Sequence, residues 1–308
     1  MSRIAVIDLG TNTCNLLIAD TLPDGSFKTL YDRKLPVKLG RGGIHKDILL
    51  PDAIGRGINA FENHAETIRM YNVDEVKVVA TSAIRGASNR FEFLSVIKSL
   101  FGWDIQIING DREAELIFKG VRLSLPSGIE KYLILDIGGG SIEFILVEDD
   151  NIAWKKSFNI GIARVLEMFN VSDPISADEI VTLEAWFAEN LRELWEVCDL
   201  HQSSILVGCS GAFDTFMDIY EQAIPDLKIR KSSELPIDAF LLIHKRLIQS
   251  DSETRSAMKG MDKVRVEMIV IASIFTNFIL EKLNIQKLIH THYALKEGVM
   301  AELILNRL

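Results

Sequence analysis

The chain predicts two similar α/β lobes, each a mixed sheet with flanking helices, with a cleft between them. Three observations carry that prediction. An apolar strand ending in an acid, a tight polar turn and a second apolar strand occur twice, 128 residues apart. In both copies strands come first and helices then alternate with strands, as in a duplicated α/β unit. The 308 residues are enough for two cores of roughly 100–200 residues each.

The first copy runs from Ile4 through Asp8, Gly10, Thr11, Asn12 and Thr13 into a strand ending at Asp20. The second runs from Tyr132 through Asp136, Gly138, Gly139, Gly140 and Ser141 to Glu148. Placing Asp8 on Asp136 aligns Gly10 with Gly138, Thr13 with Ser141 and Asn15 with Glu143. Third strands are expected over Ser26–Lys34 and Asn151–Phe158. In the first half the spacing then predicts a proline-opened helix over Pro51–Tyr71, a strand over Val76–Ala80 and a helix over Arg90–Phe101. A strand over Ile105–Ile108 leads to a helix from Asp111, its expected N-cap, to about Leu125. In the second half a long helix over Ser176–Val197 opens with a Ser176/Glu179 capping box. A strand over Ile205–Val207 precedes helices over Ala212–Ala223, Pro236–Gln249 and Asp262–Leu283. A strand over Lys287–His290 precedes a closing helix over about 294–308. The natural boundary is Ser124–Gly128, giving lobes of 1–125 and 126–293 with the closing helix able to pack back on the first.

Composition narrows the function classes. With 48% hydrophobic and 25% charged residues, the chain is an ordinary globular one. Its start carries no signal-peptide cleavage pattern. The longest apolar stretch, Val266–Leu280, contains Glu267 and Asn277 and falls short of the ~20 residues of a membrane span, so it predicts a buried helix and no membrane partner. Cys14, Cys198 and Cys209 form no disulfide framework, which fits a reducing cytoplasm. His290 and His292 are spaced as a ligand pair but read better as surface or loop positions. The net charge of −9 is uneven: 16 Lys/Arg stand against 15 Asp/Glu up to residue 125, and 18 against 28 thereafter. Lys28–Arg41 holds five basic residues and one acid, which reads either as an anion landing zone or as a lysine-guarded strand edge. Without a basic stripe interleaved with aromatics, nucleic acid is not expected as a partner.

A carboxylate at the end of a buried strand needs a cation, a donor or water. Asp8 and Asp136, at matching positions, predict a hard cation such as Mg²⁺, which takes one or two carboxylates plus water and phosphate oxygens. The glycines beside them expose backbone N–H groups, and Thr13 and Ser141 add hydroxyls, so each turn predicts a phosphate cradle. Gly10, Thr11, Asn12, Thr13, Gly138, Gly139, Gly140 and Ser141 are the expected phosphate-binding set.

These turns resemble the phosphate loops of the acetate kinase, sugar kinase, heat-shock ATPase and actin superfamily, whose lobes are ribonuclease H-like. Within it the chain is similar to the exopolyphosphatase/guanosine pentaphosphate phosphatase (Ppx/GppA) family over almost its whole length. The marks, in the family's order, are Asp8–Thr13, Val37–Gly42, Ala80–Arg85, Asn109–Val121 and Leu135–Glu143. The resemblance implies a hydrolase that releases the terminal phosphate of polyphosphate or guanosine pentaphosphate. It implies Glu113 as general base, with an unpaired carboxylate reaching the attacking water. It implies Arg85 as a phosphate-binding arginine, and Asp136 and Glu143 as metal- and water-organising acids with Asp8 as their partner in the other lobe. On the residues alone, Glu113 reads as a helix-start acid and Arg85 as a salt-bridging residue near a helix start. Glu115 competes with Glu113 but lies two residues round the helix. Asn15 and Arg41 are further candidates, and Arg164 reads equally well as structural.

The match thins at Gly208–Asp214, where relatives often carry Gly-Gly-Thr and where Phe213 leaves a nucleotide pocket in doubt. Val264–Met268 is similar to a late arginine–acid pair, here Arg265 and Glu267. Longer relatives add helical domains, so a surface for extended substrate is either absent here or supplied by a homodimer. A kinase or ATPase of the superfamily, and a non-catalytic binder of guanosine tetraphosphate or polyphosphate, are the competing readings.

Overall fold

The computed structural model describes residues 2–225 and 230–307. The chain divides into two compact units, one formed by Met1–Leu123, Gly138–Gly140 and Ala294–Leu308, the other by Ser124–Ile137 and Ser141–Tyr293.

The first unit is built on strands β1 (Arg3–Leu9), β2 (Thr13–Thr21) and β3 (Phe27–Pro36), then helix α1 (Pro51–Met70) and strand β4 (Glu75–Ala80). Helices α2 (Ser82–Gly86) and α3 (Arg90–Phe101), strand β5 (Ile105–Ile107) and helix α4 (Gly110–Arg122) follow. Sheet order is β3-β2-β1-β4-β5, antiparallel on the β3 side and parallel from β1 to β5. Central β1 is covered on both faces, so Ile4 to Ile7 form an unbroken buried run in place of an alternating one. Edge strand β3 is half-exposed, and Lys28 and Arg33 stand on it in solvent, as an unpaired edge requires.

The second unit repeats this plan with β6 (Lys131–Ile137), β7 (Ile142–Glu148) and β8 (Asn151–Phe158), followed by α5 (Ile162–Phe169), α6 (Ala177–Asn190) and α7 (Arg192–Leu200). Next come β9 (Ile205–Cys209), α8 (Ser210–Glu221), β10 (Ser232–Glu234), α9 (Ile237–Ile248) and α10 (Ser252–Ser256). The chain closes with α11 (Ile269–Lys282), β11 (Lys287–Thr291) and α12 (Leu295–Leu305). Order β10-β11-β9-β6-β7-β8 is that of the first sheet with one strand added at the edge. Both sheets share the strand order and directions expected of the two similar lobes: an antiparallel three-strand meander continued by parallel strands. The repeat holds to the residue: Asp8 pairs with Asn15 across β1 and β2, and Asp136 pairs with Glu143 across β6 and β7.

Each unit has its own apolar core. Phe61 and Phe93 meet edge-on in the first, and Phe187 and Phe275 in the second, at 6.0 and 4.8 Å between ring centroids. The apolar run around Val266–Leu280 forms most of α11, buried on nearly all sides. Among the described residues no helix is long and apolar enough to cross a membrane.

Helix α12 packs within the first unit, against α4 and against β1 and β2. Two glycines set its approach. A Cβ at Gly120 would lie 1.9 Å from the Ala294 carbonyl oxygen, and one at Gly298 would lie 1.7 Å from that of Leu116. Backbone touches backbone there, which only glycine permits.

Several boundaries differ from the sequence expectation. Asn109, not Asp111, caps α4: its Oδ1 accepts from the Arg112 N–H at 2.8 Å. The long helix expected over Ser176–Val197 keeps its capping box but breaks at Leu191, which leaves helical geometry (φ −108°, ψ 20°) while fully buried. Apolar spacing continues through the bend, because both α6 and α7 turn a face to the same core, so periodicity does not reveal it. The helix expected from Asp262 begins at Ile269, since 263–268 are turns opened by Asp262 Oδ1 accepting from the Val264 N–H. Short elements α2, α5, α10 and β10 carry too few periods to be read. The last turn of the closing helix is followed by position 308, outside the described residues.

Candidate active site

The β1–β2 turn is held by its own peptide groups. Gly10 N–H donates to the Thr13 carbonyl, and the carbonyls of Thr11 and Asn12 accept from the N–H groups of Leu39 and Val37. Thr11, Asn12 and Thr13 are all buried by these contacts. The turn Gly138–Gly140 belongs to the same unit. A Cβ at Gly139 would lie 2.2 Å from Asn12 Nδ2, and one at Gly140 would lie 2.4 Å from the Ser82 hydroxyl and 2.7 Å from that of Thr11. Four of the expected phosphate-binding residues thus come together, with Ser82 as a neighbour to which sequence reasoning gave no role. Its signal was its place inside the Ala80–Arg85 motif. Ser141, in the second unit, is buried beside the same turn in sequence.

Arg85 and Glu113 form one pair. Capping of α4 by Asn109 puts Glu113 in the first helical turn, where it is 7% exposed. Arg85, near the end of α2, donates from Nη1 to Glu113 Oε2 at 2.9 Å and to the Ile108 carbonyl at 3.0 Å. The carboxylate expected to be unpaired is therefore ion-paired, because a buried charge needs a partner. The salt bridge read as the plain alternative for Arg85 exists, and its partner is the expected base. Glu115 bonds Arg112 on the exposed side and is separated from Glu113 by its exposure.

Asp8 accepts from Asn15 Nδ2 at 2.9 Å, across the strand pair. Burial lifts its carboxyl to about 6; the Asn15 hydrogen bond and the Lys296 charge pull it down, and Glu297 pushes it up. Lys296 stands between Asp32 and Glu297, at 3.6 and 2.8 Å.

In the second unit Asp136 and Glu143 are 7% and 1% exposed. Asp136 Oδ2 accepts from the Ser210 hydroxyl at 2.8 Å, and Glu143 Oε1 accepts from Ser157 at 2.6 Å. Two buried carboxylates at paired strand positions offer the all-oxygen donor set that a hard cation takes. Ser210 occupies the left-handed region at φ 65°, costly for a non-glycine residue and frequent at functional sites. Neighbouring Cys209 is pushed well above the ordinary thiol range by burial first, and by the charges of Asp136, Asp214 and Glu143.

Other candidates fall elsewhere. Arg41 is exposed, and Arg164 is half-buried on α5. Phe213 points into the core, its ring packed on Gly208, so its bulk fills no pocket. Arg265 lies over the start of α8, where a Cβ at Gly211 would be 1.9 Å from its Nη2. His290 is not a surface or loop residue as expected, since it lies in β11 at 1% exposure; His292 is in a loop as expected, in the bend just beyond β11, but its side chain is only 13% exposed. Strand pairing takes His290 inward.

The sequence profile of the Ppx/GppA phosphatase family matches residues 18–307. The chain belongs to the Ppx/GppA phosphatase family. Among Ppx/GppA structures, that of an exopolyphosphatase from Cytophaga hutchinsonii is 35% identical and superposes with a TM-score of 0.95, covering 99% of this chain and 98% of the other. A family member from Aquifex aeolicus is 26% identical, with a TM-score of 0.81 over 99% and 98% of the two chains. Exopolyphosphatase 2 of Mycobacterium tuberculosis is 29% identical over 98% of this chain and 99% of its own length. As a Ppx/GppA chain this protein is a hydrolase by family, which sets it apart from the kinase reading.

Proposed function

We propose that the chain is a Mg²⁺-dependent phosphohydrolase that removes terminal phosphate from inorganic polyphosphate, with guanosine pentaphosphate as a second substrate to be compared. The Arg85–Glu113 pair carries this reading. A guanidinium that already holds the carboxylate is placed to exchange it for a terminal phosphate, whose oxygens suit its planar fork. That exchange leaves Glu113 buried and ionised without its cation, a state from which it takes a proton readily. Water hydrogen-bonded to Glu113 is then the nucleophile: its proton passes to the carboxylate as its oxygen bonds the terminal phosphorus in line and the bridging P–O bond breaks, giving orthophosphate and a polyphosphate one unit shorter. The backbone N–H groups and hydroxyls of the Gly10–Thr13 and Gly138–Ser141 turns hold the phosphate chain. In the second unit Asp136 and Glu143 would hold Mg²⁺. Bound Mg²⁺ would neutralise charge on the phosphate oxygens. The likeness to two exopolyphosphatases favours polyphosphate.

Phosphate release from each substrate with Mg²⁺, for wild type and Glu113→Gln, tests the reading. The variant, isosteric and still able to bond Arg85, is expected to lose about 10²–10⁴-fold in kcat. Full activity in Glu113→Gln, or no release from either substrate by wild type, would sink it.

A further inference from the structure

The second unit brings together three side chains that the phosphate chemistry above does not use. His290 Nε2 lies 2.9 Å, and His292 Nδ1 2.8 Å, from one oxygen of Asp214, Oδ1. One ligand atom from each of the three lies within 4.8 Å of the others. We infer that Asp214, His290 and His292 form a binding site for a divalent transition-metal ion of the zinc class. It is distinct from, and independent of, the proposed Mg²⁺ position at Asp136 and Glu143.

The geometry comes from the end of a strand and the bend that follows it. His290 is the last residue but one of β11 and His292 sits in the bend just past it, and both rings reach the same oxygen of Asp214. Their backbone is fixed from both flanks: His290 stands opposite Gly208 of β9 and Ser233 of β10, and the His292 N–H donates to the Lys231 carbonyl. Between them, Thr291 is anchored to Ser124 and Lys231. The two rings stand perpendicular with centroids 4.4 Å apart, which turns two nitrogens toward one point. Asp214 supplies the third donor from α8, on the next strand connection. Ligand bonds near 2.0–2.1 Å put tetrahedral donors roughly 3.3–3.4 Å apart, so a shift of about half an ångström at Asp214 admits the ion.

Donor chemistry selects the class. Two imidazoles and one carboxylate suit Zn²⁺, Co²⁺ or a neighbouring borderline ion, whereas Mg²⁺ wants oxygen. The ring nitrogens that face Asp214 present lone pairs to the metal once their protons sit on the opposite nitrogens or leave. Three protein donors leave one tetrahedral position for water or another small ligand. Bound metal would tie β11 to the start of α8.

The test uses the full chain stripped with chelator. Co²⁺ alone is titrated and followed by its visible absorption, Zn²⁺ alone by calorimetry, and the Zn²⁺-loaded wild type by X-ray absorption. We expect one equivalent bound with two imidazole nitrogens in the shell, unchanged by Asp136→Asn or by excess Mg²⁺. His292→Gln is expected to weaken it by at least about ten-fold, and Zn²⁺ to raise the melting temperature of wild type only. An oxygen-only shell in the wild type, uptake abolished by Asp136→Asn, or no uptake at all would overturn the assignment. The wild-type spectra decide the matter even where a variant fails to fold.

Discussion

Asp8 shows how a single strand-end carboxyl can work against the fold that holds it. Burial keeps its proton on until about pH 6, above the unfolded value of about 4. The folded chain therefore binds more protons than the unfolded one between those limits, and stability falls as pH rises through that window. Asp8→Asn removes the effect, so its stability relative to wild type should grow from pH 4 to pH 7 by up to about 2–3 kcal/mol. Denaturation in metal-free buffer at both pH values measures this; a constant difference would contradict it. A bound cation reverses the balance by favouring the ionised form, so adding Mg²⁺ at pH 7 should shrink the gap if Asp8 serves the metal. At this scale the repeat made Asp8, Asp136, Asn15 and Glu143 legible, since strand alternation places them. The Arg85–Glu113 bond was not legible, because it joins residues 28 apart through a helix of five residues that carries no period. Nor was the Asp214–His290–His292 cluster, whose members meet only once β11 lies beside β9.

Among the elements, the contact between α4 and α12 depends on two missing side chains. Ala at Gly120 or Gly298 would drive a methyl into a facing carbonyl, and helix separation should cost ~1–3 kcal/mol. The control is Gly55 in α1, where a Cβ meets nothing within 4 Å. There alanine gains helix propensity without strain and should stabilise by about 0.5–1 kcal/mol. Denaturant midpoints of the three variants check both signs; a stabilising Gly298→Ala would show that the helices have slack. A helix with a strong period was readable, as α4 is over Gly110–Arg122, where the buried positions recur at 113/114, 116/117 and 120/121. The bend at Leu191 and the late start of α11 were hidden by apolar residues that stay in the core on both sides of the irregularity. Gly298 was invisible as a contact residue, since its role depends on a helix more than 170 positions away in the chain.

For the whole molecule, the first unit is discontinuous in the chain, gathering Met1–Leu123, Gly138–Gly140 and Ala294–Leu308. Removing residues from Ala294 onward should strip cover from α4, β1 and β2 while leaving the second unit its full complement of residues. Hydrogen exchange reads this directly: amides of α4 and β1 should lose protection, and those of β6, β9 and α11 should keep theirs. Unchanged protection in α4 would show that α12 contributes little. Synthesis gives the same arrangement a direction in time. A ribosome delivers β1 to α4 first, yet it delivers their last partner after every residue of the second unit has emerged. The unit that starts first is thus completed last, and its apolar face on α4 waits uncovered through the making of the other.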